Sequence, residues 1–257
     1  MRRSDEMIRV IINGCNGHMG RMLDEVIAPL EDVTIVAGVD LEDKGYYSYP
    51  VYPSIKECTC EADAVIDFTI SKITDQVIDA CVAKKFPLVL CTTGLTEGQL
   101  NHVREAASQI PIVQSYNMSL GINTLVKILK AAAPALSEAG FDIELVEKHH
   151  NQKIDAPSGT AILLADTVNE ACQNRYHYTY DRTNVRKKRE SQEIGISSIR
   201  GGTIVGEHEV IFAGTDEVIE LKHEAFSKAV FAKGAVQAAK FLKGKANGLY
   251  TMQDVIQ

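Results

Sequence analysis

The chain has 257 residues, 45% of them hydrophobic and 24% charged, which suits a folded globular protein of one large domain or two moderate ones. A formal net charge of −7 argues against nucleic acid or an anionic membrane as partner, and no apolar run approaches the roughly 18 residues that span a bilayer. The charged start, Met1-Arg2-Arg3-Ser4-Asp5-Glu6, precedes an apolar stretch broken by Asn13, so it is expected to lead into a first strand of a cytoplasmic protein and not to act as a signal peptide.

In the first half, short apolar strands alternate with amphipathic helices, the pattern of a parallel α/β sheet. Ile8–Ile12 reads as a strand, and Met19, Met22, Leu23, Val26, Ile27 and Leu30 recur at helical spacing. Strands follow at Thr34–Val39, Ala64–Phe68, Leu88–Cys91 and Ile110–Gln114, with a helix carrying Ile73, Val77, Ile78 and Val82 between the second and third of these. Thr96 and Gln99 have the spacing of a capping box that opens another helix.

After Asn117 the pattern changes. A helix is expected over 123–133, with Pro134 ending or kinking it, then a strand at Phe141–His149 and a helix over 160–172. Residues 173–193 read as a mobile polar loop, and the basic run Arg186-Lys187-Lys188-Arg189 within it as a solvated one. Three strands are expected next, Ile194–Arg200, Thr203–Ala213 and Glu217–Ala225. Hairpin turns at Gly201-Gly202 and Gly214-Thr215-Asp216 would make them antiparallel, so this part reads as a separate α+β unit. A last helix, 227–242, closes the regular pattern. The six cysteines (15, 58, 60, 81, 91 and 172) form no CxxC pair and are expected to be reduced, mostly buried thiols without a metal.

Between the first strand and helix stands Asn13-Gly14-Cys15-Asn16-Gly17-His18-Met19-Gly20. Its glycines allow a tight turn and let the backbone approach a pyrophosphate at a helix N-terminus. Three glycines alone could equally be a structural turn. Asp40, twenty residues past Gly20 at the end of the second strand, decides for a dinucleotide, because a carboxylate there receives the adenosine ribose hydroxyls. Asp40 would repel a 2′-phosphate and Leu41 cannot offset this, so NADH is expected to be preferred over NADPH, with Lys44 able to soften the preference. Cys91-Thr92-Thr93-Gly94 and Ser115-Tyr116-Asn117-Met118 end strands on the ligand-binding edge of such a sheet. Either could meet the nicotinamide ribose and carboxamide, or be ordinary turn chemistry.

The run Glu147-Lys148-His149-His150-Asn151-Gln152-Lys153-Ile154-Asp155-Ala156-Pro157-Ser158-Gly159-Thr160-Ala161 joins a strand, a loop and a helix start. Two histidines and a lysine before a Ser-Gly-Thr turn offer titratable groups, a positive charge and helix N-terminal amides, the parts of a site for a small dianion. Neighbouring strand residues face opposite ways, and no carboxylate or cysteine at motif spacing completes a metal site, so proton chemistry is favoured over ligation.

This run resembles the signature of the dihydrodipicolinate reductase family. The glycine loop at 14–20, Val65–Thr69, Thr92–Gly94, Asn117 with Ser119–Asn123, and Ile204–Glu209 fall in that family's order. The resemblance implies a Rossmann-type parallel-sheet domain at 1–118, a smaller α+β substrate-binding and tetramerisation domain with a mixed sheet at 119–229, and a C-terminal helix at 230–257 returning to the first. It implies NAD(P)H-dependent reduction of a cyclic imine dicarboxylate in lysine biosynthesis by a homotetramer. His149 and Lys153 would be catalytic; His150, Lys153, Ser158, Gly159 and Thr160 would hold substrate. Gly14, Cys15, Asn16, Gly17, His18, Met19, Asp40, Cys91, Thr92, Thr93, Ser115, Tyr116, Asn117 and Met118 would contact cofactor. His18 and Leu41 stand where many members have arginine, Cys91 where many have glycine, and Tyr116 and Met118 where many have proline or alanine and phenylalanine. The connection between Asp40 and Ala64 is short. Two other readings use the same residues: a cysteine-dependent aldehyde dehydrogenase acting through Cys91 or Cys172, and a non-catalytic NADH sensor.

Overall fold

The computed structural model describes residues 7–256, so the charged start and its reading as a leader into the first strand lie outside the described residues. In chain order the first elements are β1 (Ile8–Asn13), α1 (His18–Ile27), β2 (Val33–Val39), β3 (Val51–Tyr52), β4 (Ala64–Asp67), α2 (Thr74–Lys84), β5 (Leu88–Leu90), α3 (Glu97–Ala106) and β6 (Pro111–Gln114). Then come α4 (Leu120–Glu138), β7 (Asp142–His149), α5 (Gly159–Ala171), β8 (His177–Thr179), β9 (Glu193–Arg200), β10 (Gly206–Ala213) and β11 (Val218–Ala225). The chain ends with α6 (Ala229–Leu242), β12 (Gly248–Tyr250) and α7 (Met252–Val255). Two compact units result: one from the chain up to Leu120 and from Lys228 onward, the other from Gly121–Ser227. No helix among the described residues is long and apolar enough to cross a membrane.

The first unit holds a seven-stranded sheet in the order β3-β2-β1-β4-β5-β6-β12, every pair parallel. Both faces are covered, which is why its strands are apolar throughout and do not alternate. Val10, Ile12, Ala64, Ile66 and Val89 belong to the core shared with α1 and α6. Ile11, Val65, Leu88, Leu90 and Ile112 belong to the core shared with α2 and α3. The strand order reverses between β1 and β4, so the crevice at their carboxyl ends is where such sheets bind ligands. Thr96 and Gln99 form the expected capping box of α3. The two-residue β3 and three-residue β12 are edge strands too short to show a period in sequence.

The second unit holds a five-stranded mixed sheet, β11-β10-β7-β9-β8. One face packs on α4 and α5 through Leu129, Ile143, Leu145, Leu164, Val168, Ile196 and Phe212. The other carries Val146, Ile199 and Ile211, half-buried or exposed. Only one of the two expected hairpins forms. Gly214-Thr215-Asp216 joins antiparallel β10 and β11, but β9 lies parallel to β7, which separates it from β10. The Gly201-Gly202 turn carries the chain across the end of β7: Gly201 N donates to His149 O, and Asn151 N donates to Gly202 O. The second of the three expected strands therefore starts at Gly206 and not at Thr203.

Two further expectations change. Pro134 lies inside α4, which runs on to Glu138; the carbonyl that loses its partner belongs to Lys130 on the exposed side, where water can replace it. The polar segment 173–193 contains β8, paired parallel with β9. Arg189, at the end of the basic run, is drawn onto the starts of β7 and β9 by Asp142, Glu144 and the carbonyls of Ile143 and Glu193.

Helix α6 returns to the first unit with little clearance. A Cβ at Gly234 would lie 1.7 Å from the carbonyl oxygen of Met118, in the turn after β6. Gly234→Ala must push α6 off that turn at a cost of about 1–3 kcal/mol, lowering Tm by roughly 2–12 °C. Calorimetry of the variant checks this, and a Tm within a degree of the parent would show that the turn yields freely.

Candidate active site

In the first unit, the carboxyl end of β1 runs into a loop pinned to β2: the amides of Gly14 and Cys15 donate to Val39 O at 2.8 and 3.2 Å. Gly14 has φ +82°, which an L side chain resists, and a Cβ at Gly20 would lie 2.3 Å from Gly14 O. The loop therefore lies against the start of α1 with bare backbone outward. Asp40 joins it from the end of β2, accepting from Asn16 N at 2.9 Å and from Leu41 N at 2.8 Å. Asn16 Nδ2 donates to Glu42 O, and its Oδ1 is buried without a partner. A glycine cradle, a carboxylate with lone pairs to spare and an unmatched buried carbonyl fit the phosphates and adenosine ribose of a dinucleotide. His18 is exposed, and Met19 half-buried, at the first turn of α1.

A cavity of about 340 Å³ in the same unit is lined by Met19, Cys91, Thr93, Tyr116 and Met118 from the expected set. It is also lined by Phe68, Thr69, Lys228 and Phe231, which sequence reasoning did not assign to the site. The other expected residues lie beneath this wall. Thr92 is buried and donates to Asp67 Oδ2 at 2.6 Å, while the Ser115 hydroxyl donates to Asn117 O and the Asn117 side chain accepts from Ser119 N. Asp67, fully buried, also receives Asn13 Nδ2 and Thr69 Oγ1 at its Oδ1, so one carboxyl ties the tips of β1, β4 and β5 together. Burial pushes its pKa up, against those three donors.

The thiols do not suit nucleophilic chemistry. Cys91 is buried, and burial beside Asp67 drives its thiol well above the ordinary range. Cys172 is buried as well. Cys15 is raised to about 11 by burial and by Asp40. Without an accessible thiolate, the aldehyde dehydrogenase reading lacks its nucleophile.

In the second unit, the alternation of β7 places Ile143, Leu145, Glu147 and His149 on one face, the first two in the core and the last two at its end. Glu147 is fully buried. Arg200, beside His149 on the neighbouring strand, grips it with both arms: Nη2 donates to Oε1 at 2.7 Å and Nη1 to Oε2 at 2.8 Å. His149 Nδ1 meets Glu147 Oε2 at 2.5 Å, and Ser158 N donates to Oε1 at 3.2 Å. Burial alone would raise the Glu147 pKa, but hydrogen bonds from Arg200, Ser198 and His149 outweigh it and hold it down to about 2. An ionised Glu147 keeps the proton of a neutral His149 on Nδ1; the ring is largely buried, and its Nε2 faces Gly206 on β10 and makes no hydrogen bond among the described residues. Burial lowers the His149 pKa, opposed by Glu147 and assisted by Lys153 and Arg200.

The remaining expected residues surround this pair. Ser158 caps α5 by accepting from Ala161 N, and its hydroxyl lies 2.9 Å from Nε2 of buried His208. Gly159 and Thr160 form the first turn of α5, where backbone amides and the helix dipole favour an anion. Lys153 pairs with exposed Asp155 at 2.7 Å, a weak contact that a dianion can displace. The His150 ring makes no hydrogen bond among the described residues, and the structure does not draw it into the cluster as it does Ser158. Glu147, Arg200 and His208 were not singled out from sequence as site residues. Glu147 had one signal, its place two residues before His149 on the same strand face; Arg200 had none, because β9 was expected beside β10.

Three groups that could meet at a metal, His177, Glu190 and Glu193, lie elsewhere, with the two carboxylates already paired to Lys187 and Arg182.

Comparison with known proteins agrees with the geometry. Residues 8–118 match the family profile described as dihydrodipicolinate reductase, N-terminus, and residues 121–256 that of the C-terminus. The chain is 49% identical to the 4-hydroxy-tetrahydrodipicolinate reductase of Caldanaerobacter subterraneus subsp. tengcongensis, over 98% of this chain and 99% of that one. It is 47% identical to the reductase of that name from Clostridium novyi, at the same coverage. Among solved structures, a dipicolinate-bound dihydrodipicolinate reductase from Paenisporosarcina sp. TG-14 superposes with a TM-score of 0.81 at 25% identity, covering 98% of this chain and all of that one. With both halves matched and relatives this similar along their full length, the chain belongs to the dihydrodipicolinate reductase family.

Proposed function

We propose that this enzyme reduces 4-hydroxy-tetrahydrodipicolinate to tetrahydrodipicolinate with a nicotinamide nucleotide, in the diaminopimelate route to lysine. The observation that carries the reading is His149, an imidazole held at Nδ1 by buried Glu147, with Nε2 making no hydrogen bond among the described residues and with Ser158, the cap of α5, on the same carboxylate. When bound, the nicotinamide supplies the hydride for the conjugated imine that forms once the hydroxy substrate loses water. The chain supplies binding, orientation and a proton. Lys153 and the first-turn amides of Gly159 and Thr160 receive the two carboxylates, and His149 Nε2 protonates the enamine carbon that hydride addition leaves.

Burial and two nearby cations disfavour the charged imidazole in the free enzyme. A bound dianion reverses that balance, so the donor takes up its proton together with substrate. On this basis His149→Gln lowers kcat by roughly 10²-fold or more, the usual contribution of a general acid, with NADH affinity nearly unchanged. Lys153→Met raises KM and lowers kcat together. Steady-state kinetics with freshly generated substrate checks both; normal turnover without the imidazole, or an unaltered KM without the ammonium, would remove that residue from the mechanism.

For the cofactor, Asp40 occupies the ribose position and is followed by fully exposed Leu41, then Glu42 and Asp43. A 2′-phosphate would meet this acidic run with only His18, Arg21 and Lys44 nearby in sequence or on α1, and Arg21 Nε already donates to Asn16 O. NADH is therefore favoured over NADPH severalfold in kcat/KM, and the reverse order would overturn this use of Asp40.

The helix-free face of the second sheet, with Val146, Ile199 and Ile211 among charged residues, suits pairing of subunits into a homotetramer. Sedimentation at micromolar concentration is expected to show about four times the mass of one 28.2 kDa chain, and a monomer would refute it.

A further inference from the structure

We propose that the buried Glu147–Arg200 pair is a positioning element for the reaction, holding the proton donor, the capped start of α5 and the lysine-bearing loop in one frame. The inference rests on the reading of His149 as proton donor and asks what fixes that donor relative to the groups that bind substrate.

Ties from three stretches of chain meet at these two side chains. Glu147 Oε2 holds His149 Nδ1, which sets the tautomer and the plane of the ring. Glu147 Oε1 accepts from Ser158 N, the residue that caps α5, so the helix start destined for a carboxylate hangs on the same carboxyl group. Arg200 Nη2 binds Oε1 and also donates to the carbonyl of Asp155 at 2.6 Å, which anchors the loop carrying Lys153. Three separate stretches of chain, the end of β7, the 153–157 loop and the N-terminus of α5, thus refer to one ion pair.

The pair has the properties such a device needs. Glu147 has no exposed surface, and its four hydrogen bonds to Arg200, His149 and Ser158 come from fixed directions, so it cannot swing to another partner. Arg200 is needed as a planar fork, because a lysine cannot reach both carboxylate oxygens and a carbonyl together. Gly206, opposite on β10, leaves the ring room: a Cβ there would come within 3.1 Å of His149 Nε2. The charged or titratable groups facing His149 are Glu147 on its own strand, Arg200 on β9, His208 on β10 and Lys153 on the loop. Glu147 is the one anion among them. Removing its charge while keeping its shape leaves cations and a neutral ring around the imidazole, so the protonated form is lost at lower pH.

The test uses full-length Glu147→Gln and Arg200→Lys, with His149→Gln in parallel and NADH affinity as the check on folding. Glu147→Gln is expected to lower kcat by about tenfold or more and to move the alkaline fall of kcat/KM to lower pH by roughly one unit. Arg200→Lys keeps the charge but drops the tie to Asp155, so KM for substrate rises by about tenfold while that fall stays in place. A merely structural role would change thermal stability without this split. The proposal is overturned by a Glu147→Gln enzyme that binds NADH yet keeps the parent pH profile, or by Arg200→Lys with unchanged KM. If Glu147→Gln does not fold, the Arg200→Lys result decides alone. Undiminished turnover in His149→Gln would instead sink the proton-donor reading on which the inference stands.

Discussion

A carboxylate survives out of water only where donors replace its solvation shell, and each unit of this chain is organised around one that has been so treated. Asp67 and Glu147 are both fully buried, both stand at the carboxyl end of a strand, and both bind residues that the ligand sites are built from. Their surroundings differ. Asp67 has neutral donors only, from Asn13, Thr69 and Thr92, and burial raises its pKa. Glu147 has a two-armed guanidinium, and its pKa falls to about 2. The first arrangement makes a knot of neutral donors around one carboxyl that keeps three strand tips in register. The second makes a permanent anion, which is what a neighbouring imidazole needs if it is to hold a proton at all.

This contrast accounts for where the chemistry resides. On the proposed function the first unit would hold its dinucleotide through backbone amides, missing side chains and the carboxylate of Asp40, and burial pushes the thiols of Cys15 and Cys91 up. The cluster proposed to bind substrate is made of charged and polar side chains with defined partners: Lys153 with Asp155, Arg200 with Glu147, His208 with Ser158. A hydride donor needs shape and close approach, while a dianion and a proton need charge in fixed places. The two sets of residues belong to different compact units, so each could be optimised under its own constraint.

How far the sequence could be read follows from the same physics. Period and local chemistry exposed what they control: the apolar strands of a sheet buried on both faces, the glycine loop with Asp40, the Thr96–Gln99 cap, and the stretch from His149 to Thr160 in which the candidate groups are neighbours in the chain. What remained hidden depends on strand pairing. Gly201-Gly202 has the composition of a hairpin turn, yet β7 inserts between β9 and β10, because hydrogen bonds from Gly201 to His149 and from Asn151 to Gly202 carry the chain across it. That insertion puts Arg200 beside His149 and His208 opposite Glu147, contacts between residues more than fifty positions apart. Lys228 and Phe231 were unassigned for a similar reason, since they return to the first unit after the whole of the second. Short edge strands such as β3, β8 and β12 carry too few residues to show any period.

His18, Leu41, Cys91, Tyr116 and Met118, the positions at which the resemblance suggests other residues, all fall in the first unit. The proposed modes of recognition would account for that distribution. Where a ligand is held by main-chain N–H groups, the side chain at the same position is free to vary so long as it leaves the backbone accessible: exposed His18 and Leu41 do so by pointing into solvent, and buried Cys91 by packing inward. Around Glu147 no such freedom exists. Each donor there completes the shell of a charge that has lost all its water, so replacing any one leaves a buried group unmatched, a penalty of about 1–3 kcal/mol or more for charged partners. On the proposed function, tolerance of substitution is expected in the unit whose glycine loop offers its backbone, and intolerance around the carboxylate that the second unit encloses.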